Sequence, residues 1–240
     1  PPPPPPPPPP PHPTHHAFFR RQRQMCIRDS LGTDYVYPRT TNKILKQYLI
    51  DKGIPETDIF VNYTPFGHSD WSKIVGDVVA LGADGKKVGV ISTINGDANI
   101  GFYKELAAAG IKADDIPVVA FSVGEEELSG LDTKNLVGHL AAWNYFQSAE
   151  SDLNTKFIKK WKAKMGDKRV TNDPMEAHVI GFEMYVKAVE KAGTTDVDAV
   201  RKAMYGMKVP NLTGGTAEML PNHHLSCLLY TSPSPRDAES

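Results

Sequence analysis

The sequence is poor in cysteine, and this shortage excludes two kinds of structural site. Its 240 residues include two cysteines, Cys26 and Cys227, which lie near opposite ends of the chain. The long segment between them is free of cysteine. That segment therefore contains neither a disulfide framework nor a thiolate site for a metal ion.

Blocks of positive charge and long apolar runs are also missing. The chain carries 27 lysines and arginines against 28 aspartates and glutamates, a net charge of −1 with neutral histidines. A chain with this balance and no basic block in its central part is a poor binder of nucleic acid. No apolar run approaches the roughly 20 residues that span a bilayer, so we predict no stable membrane insertion of this segment.

Motifs of catalysis are absent as well. The chain has no HExxH, no GxSxG and no phosphate-binding P-loop, and its histidines are scattered. The adjacent His223 and His224 form an incomplete metal site by themselves. We therefore predict that the protein is not an enzyme, that it holds no metal and that it needs no cofactor.

Both ends of the chain look foreign to the rest. Residues 1–11 are an unbroken proline run that can form a polyproline II rod but bury nothing. Residues 25–30 (MCIRDS) and 227–237 (CLLYTSPSPRD) translate reverse-complementary DNA that resembles the transposon ends used in sequencing libraries. We predict that residues 1–30 are a disordered, non-native tail and that 226–240 are a second adapter-derived tail. The alternative is a metal-binding tail rich in histidine and proline, joined to a genuine C-terminal strand.

The segment after residue 30 alternates short apolar runs with helical patterns. We predict strands that end near residue 33 and that cover residues 59–63, 88–92 and 117–121, each followed by a helix or a turn. Strands that are apolar on both faces indicate an α/β fold, with a doubly wound parallel sheet covered by helices on both sides. Later helices are predicted over residues 153–165, 174–192 and 197–207. These have no strands of their own in the sequence, and we expect an upstream sheet to cover them.

Ligands of open parallel sheets bind at the carboxyl ends of the strands. The loops predicted there cover residues 32–38, 92–99 and 121–125. The first loop carries Tyr35 and Tyr37. The second carries Asn95, Gly96 and Asp97, where a glycine admits close backbone approach and an amide can both donate and accept. Two alternatives remain open, in which Tyr35 is a core residue and Asp97 or Asn99 is an ordinary helix N-cap.

Five motifs carry a resemblance to a known family. They are GTDYVYPR (32–39), NYTPFGHSDW (62–71), STINGDAN (92–99), VGEEEL (123–128) and NDPMEAH (172–178). The chain resembles the type I periplasmic solute-binding proteins, and within them the urea-binding components of ABC transporters. The resemblance implies two doubly wound lobes joined by a hinge. Residues 31–138 would form the second lobe and residues 139–225 the hinge crossing and returning helices of the first, whose N-terminal half would be missing from the chain.

The resemblance also implies a ligand and the residues that contact it. Tyr37 falls where relatives place a cleft tyrosine, Tyr35 is its companion, and Ser122 is at a position that contacts ligand in relatives. Glu125 to Glu127 more simply place negative charge in the first turn of a helix. We expect a binding component, periplasmic or extracellular and lipid-anchored, that captures urea or a short amide in an interlobe cleft and delivers it to ABC permease subunits. The alternatives are a cytoplasmic amide-sensing regulator of the same fold and a branched-chain amino-acid-binding protein.

Overall fold

A computed structural model describes residues 26–83 and 87–228, which divide into two units. Unit 1 contains the described residues up to Phe121 together with Thr133–Leu140, and unit 2 contains Ser122–Asp132 and the described residues from Ala141 onward. The chain therefore passes from one unit to the other after Phe121, after Asp132 and after Leu140. The predicted boundary after residue 138 falls two residues before the last of these passages.

Strands and helices alternate along unit 1, as predicted. In chain order they are β1 (Cys26–Thr33), α1 (Val36–Asp51), β2 (Phe60–Thr64), α2 (Ser72–Gly82), β3 (Val88–Thr93), α3 (Ala98–Ala108), β4 (Val118–Ala120) and β5 (Leu140–Ala141), with 3-10 turns at Glu56–Asp58 and Thr133–Leu136. The sheet order is β2-β1-β3-β4-β5, and the β1–β2, β1–β3 and β3–β4 pairs are parallel. The α/β class and the parallel sheet are confirmed.

Helices cover both faces of this sheet because its central strand is apolar on both sides. All six residues of β3 are buried, and successive residues of a strand point to opposite faces. On one face Ile91 joins a cluster with Leu49 of α1 and Ile59. Trp71 and Phe102 are also fully buried and meet edge to face, with ring centroids 5.4 Å apart. The register of these buried strands fixes where the loops at the carboxyl edge of the sheet begin.

One prediction about the N-terminal tail is wrong. Residues 26–30 belong to β1, in which Ser30 pairs with Val61 of β2 and with Ile91 of β3, so they are not disordered. Parallel pairing uses backbone N–H and C=O groups, which any residue offers whatever the origin of its codons. Residues 1–25 lie outside the described residues, and the non-native origin of this stretch stays a prediction.

Unit 2 contains helices and a small antiparallel sheet. Its elements are α4 (Glu125–Leu128), α5 (Asp152–Met165), α6 (Asp173–Ala192), α7 (Val197–Met204), β6 (Lys208–Pro210), β7 (Thr216–Met219) and β8 (Leu225–Leu228), with sheet order β6-β7-β8. The prediction that the late helices have no strands of their own is therefore wrong. Ile180 and Met184 of α6 pack against Val209 and Ala217 of this sheet. The predicted tail from residue 226 begins inside β8, and residues 229–240 are outside the described part of the chain.

The helix ends of unit 2 follow local sequence signals. Asn172 caps α6 by accepting a hydrogen bond from the Met175 N–H, and Pro174 lies in the first turn. Glu125 lies in the first turn of α4, as predicted. The last helix ends at Met204, earlier than predicted, because Tyr205 is extended and Gly206 has a φ of 69° that turns the chain into β6.

Candidate ligand-binding site

The strand order creates a switch point between β1 and β3. From β1 the chain moves outward to β2, and from β3 it moves in the opposite direction to β4, although β1 and β3 are neighbours. The loops that follow these two strands therefore leave the sheet on opposite sides and open a crevice at its carboxyl edge, where ligands of doubly wound sheets bind. Tyr35 follows β1, and Asn95, Gly96 and Asp97 follow β3.

The two tyrosines lie where β1 turns into α1. Tyr35 is the extended residue before the helix, with φ −149° and ψ 161°, and 48% of it is exposed. The alternative that Tyr35 is a core residue is therefore wrong. Its ring meets the exposed Phe66 edge to face, with centroids 5.3 Å apart. The hydroxyl of Tyr37 donates a 2.7 Å hydrogen bond to the carbonyl of Phe121, just beyond the end of β4.

The charges beside these tyrosines neutralise each other. Arg39 Nε donates to Asp34 Oδ1 at 2.6 Å, and its guanidinium lies 4.6 Å from the centre of the Tyr63 ring. This hydrogen bond lowers the pKa of the Asp34 carboxyl and raises the pKa of Arg39. Both side chains are exposed, so the pair is screened by solvent and adds little stability. The effect of the pair is electrostatic, because each charge beside the tyrosines is compensated by the other.

The loop after β3 is fastened to β1. The Asn95 N–H donates to Thr33 Oγ1 at 2.9 Å, and Thr33 is fully buried at the end of β1. Gly96 is exposed and has a φ of 63°, a left-handed conformation that glycine adopts without strain. Asp97 occupies the N-cap position of α3, but its side chain accepts no capping hydrogen bond and is exposed. The N-cap alternative for Asp97 is thus right about position and wrong about the bond.

Five of the six predicted residues belong to unit 1, and the sixth belongs to unit 2. Tyr35, Tyr37, Asn95, Gly96 and Asp97 lie on loops or a helix start at the carboxyl edge of unit 1. Ser122 is buried and is the first residue of unit 2. It follows Phe121, whose carbonyl accepts the Tyr37 hydrogen bond.

Sequence reasoning missed residues that support this edge. Phe66 packs on Tyr35, and Thr33 holds the Asn95 amide. Phe66 follows a predicted strand in the motif TPFG, so its place at the carboxyl edge could have been inferred from the strand alone. The hydroxyl of Thr33 gives no such signal, because β-branched residues are common in strands for packing reasons.

Unit 2 has a separate network of polar groups, in which Glu176 is buried and Asp173 is half-buried. Asp173 Oδ2 accepts from the Asn144 and Tyr145 N–H groups at 2.9 and 3.0 Å, and Glu176 Oε1 accepts from the Leu212 N–H at 2.9 Å. Burial raises the pKa of both carboxyl groups. These bonds tie α6 to the preceding loop and to the strand region after β6, which is a structural role.

The described part of the chain lacks two other kinds of feature, a metal-binding cluster and a membrane-spanning helix. Among residues 26–83 and 87–228 no three His, Cys, Asp or Glu side chains are placed to hold a metal ion. Within the same residues no helix has the length and apolar character required to cross a membrane.

Comparison with known proteins identifies the family. The family model described as a periplasmic binding protein domain matches residues 18–234. Among solved structures, an amino acid ABC transporter substrate-binding protein from Pseudomonas fluorescens Pf-5 has a TM-score of 0.70 at 20% identity and covers 88% of this chain and 54% of its own. A solute-binding protein from Rhodopseudomonas palustris HaA2, in complex with p-hydroxybenzoic acid, has a TM-score of 0.72 at 21% identity and covers 88% and 56%. A periplasmic binding protein from Burkholderia mallei has a TM-score of 0.73 at 16% identity and covers 88% and 53%.

The solved structures, the hydroxylase match and the family model support different conclusions. At such identities the solved structures show the fold, and the chain spans about half of their length. A limonene hydroxylase from Geobacillus stearothermophilus is 27% identical over 96 residues, but these are 40% of this chain and 18% of that protein. So short a match carries no hydroxylase activity to this chain. The family model covers well over half of the chain, and the matched family and structures are binding proteins rather than enzymes. The chain therefore belongs to the periplasmic binding protein family and has the type I fold.

Proposed function

We propose that this chain is part of the solute-binding component of an ABC importer and that it captures urea or a short-chain amide. The component works outside the cytoplasm, in the periplasm or as a lipid-anchored extracellular protein, and delivers its ligand to the permease. The observation that carries the proposal is the crevice between β1 and β3. There Tyr35 and the Asn95 loop follow neighbouring strands at the switch point of the sheet.

The chemistry of this edge suits a small neutral amide. Urea presents one carbonyl acceptor and two amide donor groups, so it needs aligned hydrogen-bond partners rather than a charge. Tyrosine hydroxyls, the Asn95 amide and the backbone at Gly96 supply such partners, and Arg39 is already paired with Asp34. The Tyr37 hydroxyl already donates its hydrogen bond to the Phe121 carbonyl. Any hydrogen bond that Tyr37 makes to a ligand is therefore one in which its oxygen accepts an amide N–H.

Ligand capture would act by shifting populations. A ligand that binds a closed conformation better than an open one moves the equilibrium toward the closed form, by no more than its difference in affinity for the two. The closed form would then dock on the permease. In the alternative amide-sensing regulator, the same event would control a cytoplasmic partner.

One observation favours a second candidate, an amino-acid-binding component. A similar structure is described as part of an amino acid transporter. Such a ligand carries two charges that need partners, and the Asp34–Arg39 pair would have to open to provide them. Of the six predicted site residues, Asp97 carries a charge, and its carboxylate is exposed.

Calorimetric titration with urea, acetamide, leucine and p-hydroxybenzoate tests the proposal. Because the chain spans about half the length of the similar structures, the titration uses the complete product of the gene as well as the 240-residue chain. We expect saturable heat with urea and little with leucine or p-hydroxybenzoate. Preference for acetamide would favour the amide sensor, and preference for leucine would favour the amino-acid receptor. Absence of binding heat with all four compounds would reject the proposal.

A further inference from the structure

A buried asparagine stands directly behind the candidate site. Asn99 lies in the first turn of α3 and is completely buried. Asparagine is a poor helix former, and a buried amide is costly unless it is hydrogen-bonded. An asparagine at this place therefore needs a compensating set of contacts.

Those contacts go to the loop that carries Asn95. The Asn99 Nδ2 group donates to the Ile94 carbonyl at 2.7 Å and to the Gly96 carbonyl at 3.2 Å. These are the carbonyls on either side of Asn95. The Asn95 N–H is in turn held by Thr33 Oγ1 at 2.9 Å. The loop is thus fastened from α3 on one side and from β1 on the other.

The acceptor end of the amide makes no comparable bond. Asn99 Oδ1 is buried and accepts no hydrogen bond from the described part of the protein. Here the donor makes both bonds, and both go to carbonyls of the loop.

We propose that Asn99 is a positioning residue of the candidate ligand site. By holding the carbonyls of Ile94 and Gly96, it fixes the direction in which Asn95 and the Gly96 backbone meet a ligand. The ligand part of this assignment rests on the proposed function, whereas the positioning part does not.

Two variants remove the donor. Asn99→Asp keeps the shape and replaces the NH₂ group with oxygen, and Asn99→Leu keeps the volume without any polar atom. The readout is the exchange rate of the Asn95 amide hydrogen by NMR, divided by that of the Val90 amide in β3, which donates to the Pro117 carbonyl at 2.9 Å. Global destabilisation speeds exchange at Val90 at least as much as at Asn95, so a rise in the ratio reports local loosening of the loop. We expect it to rise about tenfold, the effect of losing bonds of ordinary strength.

The chain offers two controls. Asn154 is also buried at the start of a helix, and its Nδ2 donates to the carbonyls of Gln147 and Ala149 at 2.9 and 2.7 Å, in unit 2. Asn154→Asp should lower stability but leave the Asn95 ratio as in the wild type. Thr33→Val removes the acceptor of the Asn95 N–H and sets the size of a full effect.

Urea affinity is then measured on the same variants. A raised exchange ratio with weakened urea binding in both Asn99 variants supports the assignment. An unchanged ratio in both overturns it, and a raised ratio with wild-type urea affinity overturns its connection to the ligand. If the wild-type protein does not bind urea, the proposed function fails, and the exchange ratio still decides whether Asn99 positions the loop.

Discussion

Tyr37 and Tyr48 offer a controlled comparison at the scale of single residues. Both lie on α1, with 38% and 39% of the residue exposed, but Tyr37 begins the helix at the candidate site and Tyr48 lies three turns later. Tyr37→Phe removes the hydrogen bond to Phe121 and the acceptor offered to a ligand. We expect the Kd for urea to rise about tenfold, as for the loss of ordinary hydrogen bonds, with little change in Tm.

Tyr48→Phe is the matched control and should bind urea like the wild type. Calorimetry gives the affinities, and circular dichroism gives the melting temperatures. Unchanged affinity in the Tyr37 variant would remove this residue from the site, whatever its effect on Phe121.

The direction of side chains was the part of the site that sequence could not provide. The sequence left open whether Tyr35 is a core residue, and the structure places it at the surface, where Phe66 packs against it. The residue type alone would have favoured a capping hydrogen bond from Asp97. The structure has no such bond, and the Asp97 side chain is exposed. Such outcomes depend on neighbours that are distant in sequence.

At the scale of elements, the turn from β1 into α1 depends on a glycine. A Cβ at Gly32 would lie 2.7 Å from Thr93 Oγ1 and 3.0 Å from both Asn42 Nδ2 and Pro38 Cβ, where Thr93 and Asn42 share a 3.0 Å hydrogen bond. We expect Gly32→Ala to lower the free energy of unfolding by about 1–3 kcal/mol through overpacking. Denaturant unfolding measures this change.

The control for that variant is Gly76→Ala on α2. A Cβ at Gly76 meets no atom within 4 Å, and alanine is the better helix former. This variant should be more stable than the wild type by about 0.5–1 kcal/mol. Equal effects of the two substitutions would show that crowding at Gly32 is not what matters.

A second prediction at this scale concerns the first turn of α6. Burial raises the pKa of Asp173, so its folded form binds a proton more readily than the unfolded chain does. The resulting contribution to stability is present at low pH, below the unfolded value of about 3.9, and is lost as the pH rises through the folded pKa. Asp173→Asn has no proton to lose. We therefore expect the variant to gain stability relative to the wild type as the pH rises through this window.

Denaturant unfolding at several pH values between 3 and 8, a range chosen around the ordinary carboxyl pKa of about 4, measures this difference. Asp152→Asn, which alters an exposed acidic residue in the first turn of α5, is the control. A difference between wild type and Asp173→Asn that is independent of pH would contradict the prediction.

Elements were predictable where a run of apolar residues or a long helical pattern marks them. Strands β2, β3 and β4 lie within one residue of the apolar runs that predicted them, and α5 and α6 each begin one residue before the predicted start. The strands of unit 2 were missed because β6, β7 and β8 have three or four residues each and, unlike the equally short β4, mix polar with apolar residues. So short a segment shows too little alternation to be distinguished from a loop.

At the scale of the whole molecule, the family could be predicted because five motifs agreed, and the ligand could not. Motifs at the carboxyl edge of a doubly wound sheet specify the fold and the location of a site. Which solute binds is decided by a few hydrogen-bond partners, and one fold hosts many specificities. The similar structures include binding proteins for an amino acid transporter and for p-hydroxybenzoic acid.

The last prediction follows from apolar surface that the chain leaves exposed. One face of α6 packs on the small sheet through Ile180 and Met184, yet Phe182, Tyr185 and Val186 of the same helix are exposed. Neighbouring exposed apolar residues on a helix favour association or dye binding. We expect the 240-residue chain to bind ANS and to self-associate at micromolar concentration.

Phe182→Lys should reduce both effects, because Phe182 is 70% exposed and lies one turn from Val186. Val137→Lys is the control, since Val137 is 80% exposed but lies in unit 1, apart from these residues. Fluorescence titration and analytical ultracentrifugation of the two variants separate the contribution of this helix face from general surface hydrophobicity. A chain that is monomeric and does not bind ANS would mean that the exposed face of α6 is covered in solution. Equal losses in the two variants would mean that no single face is responsible.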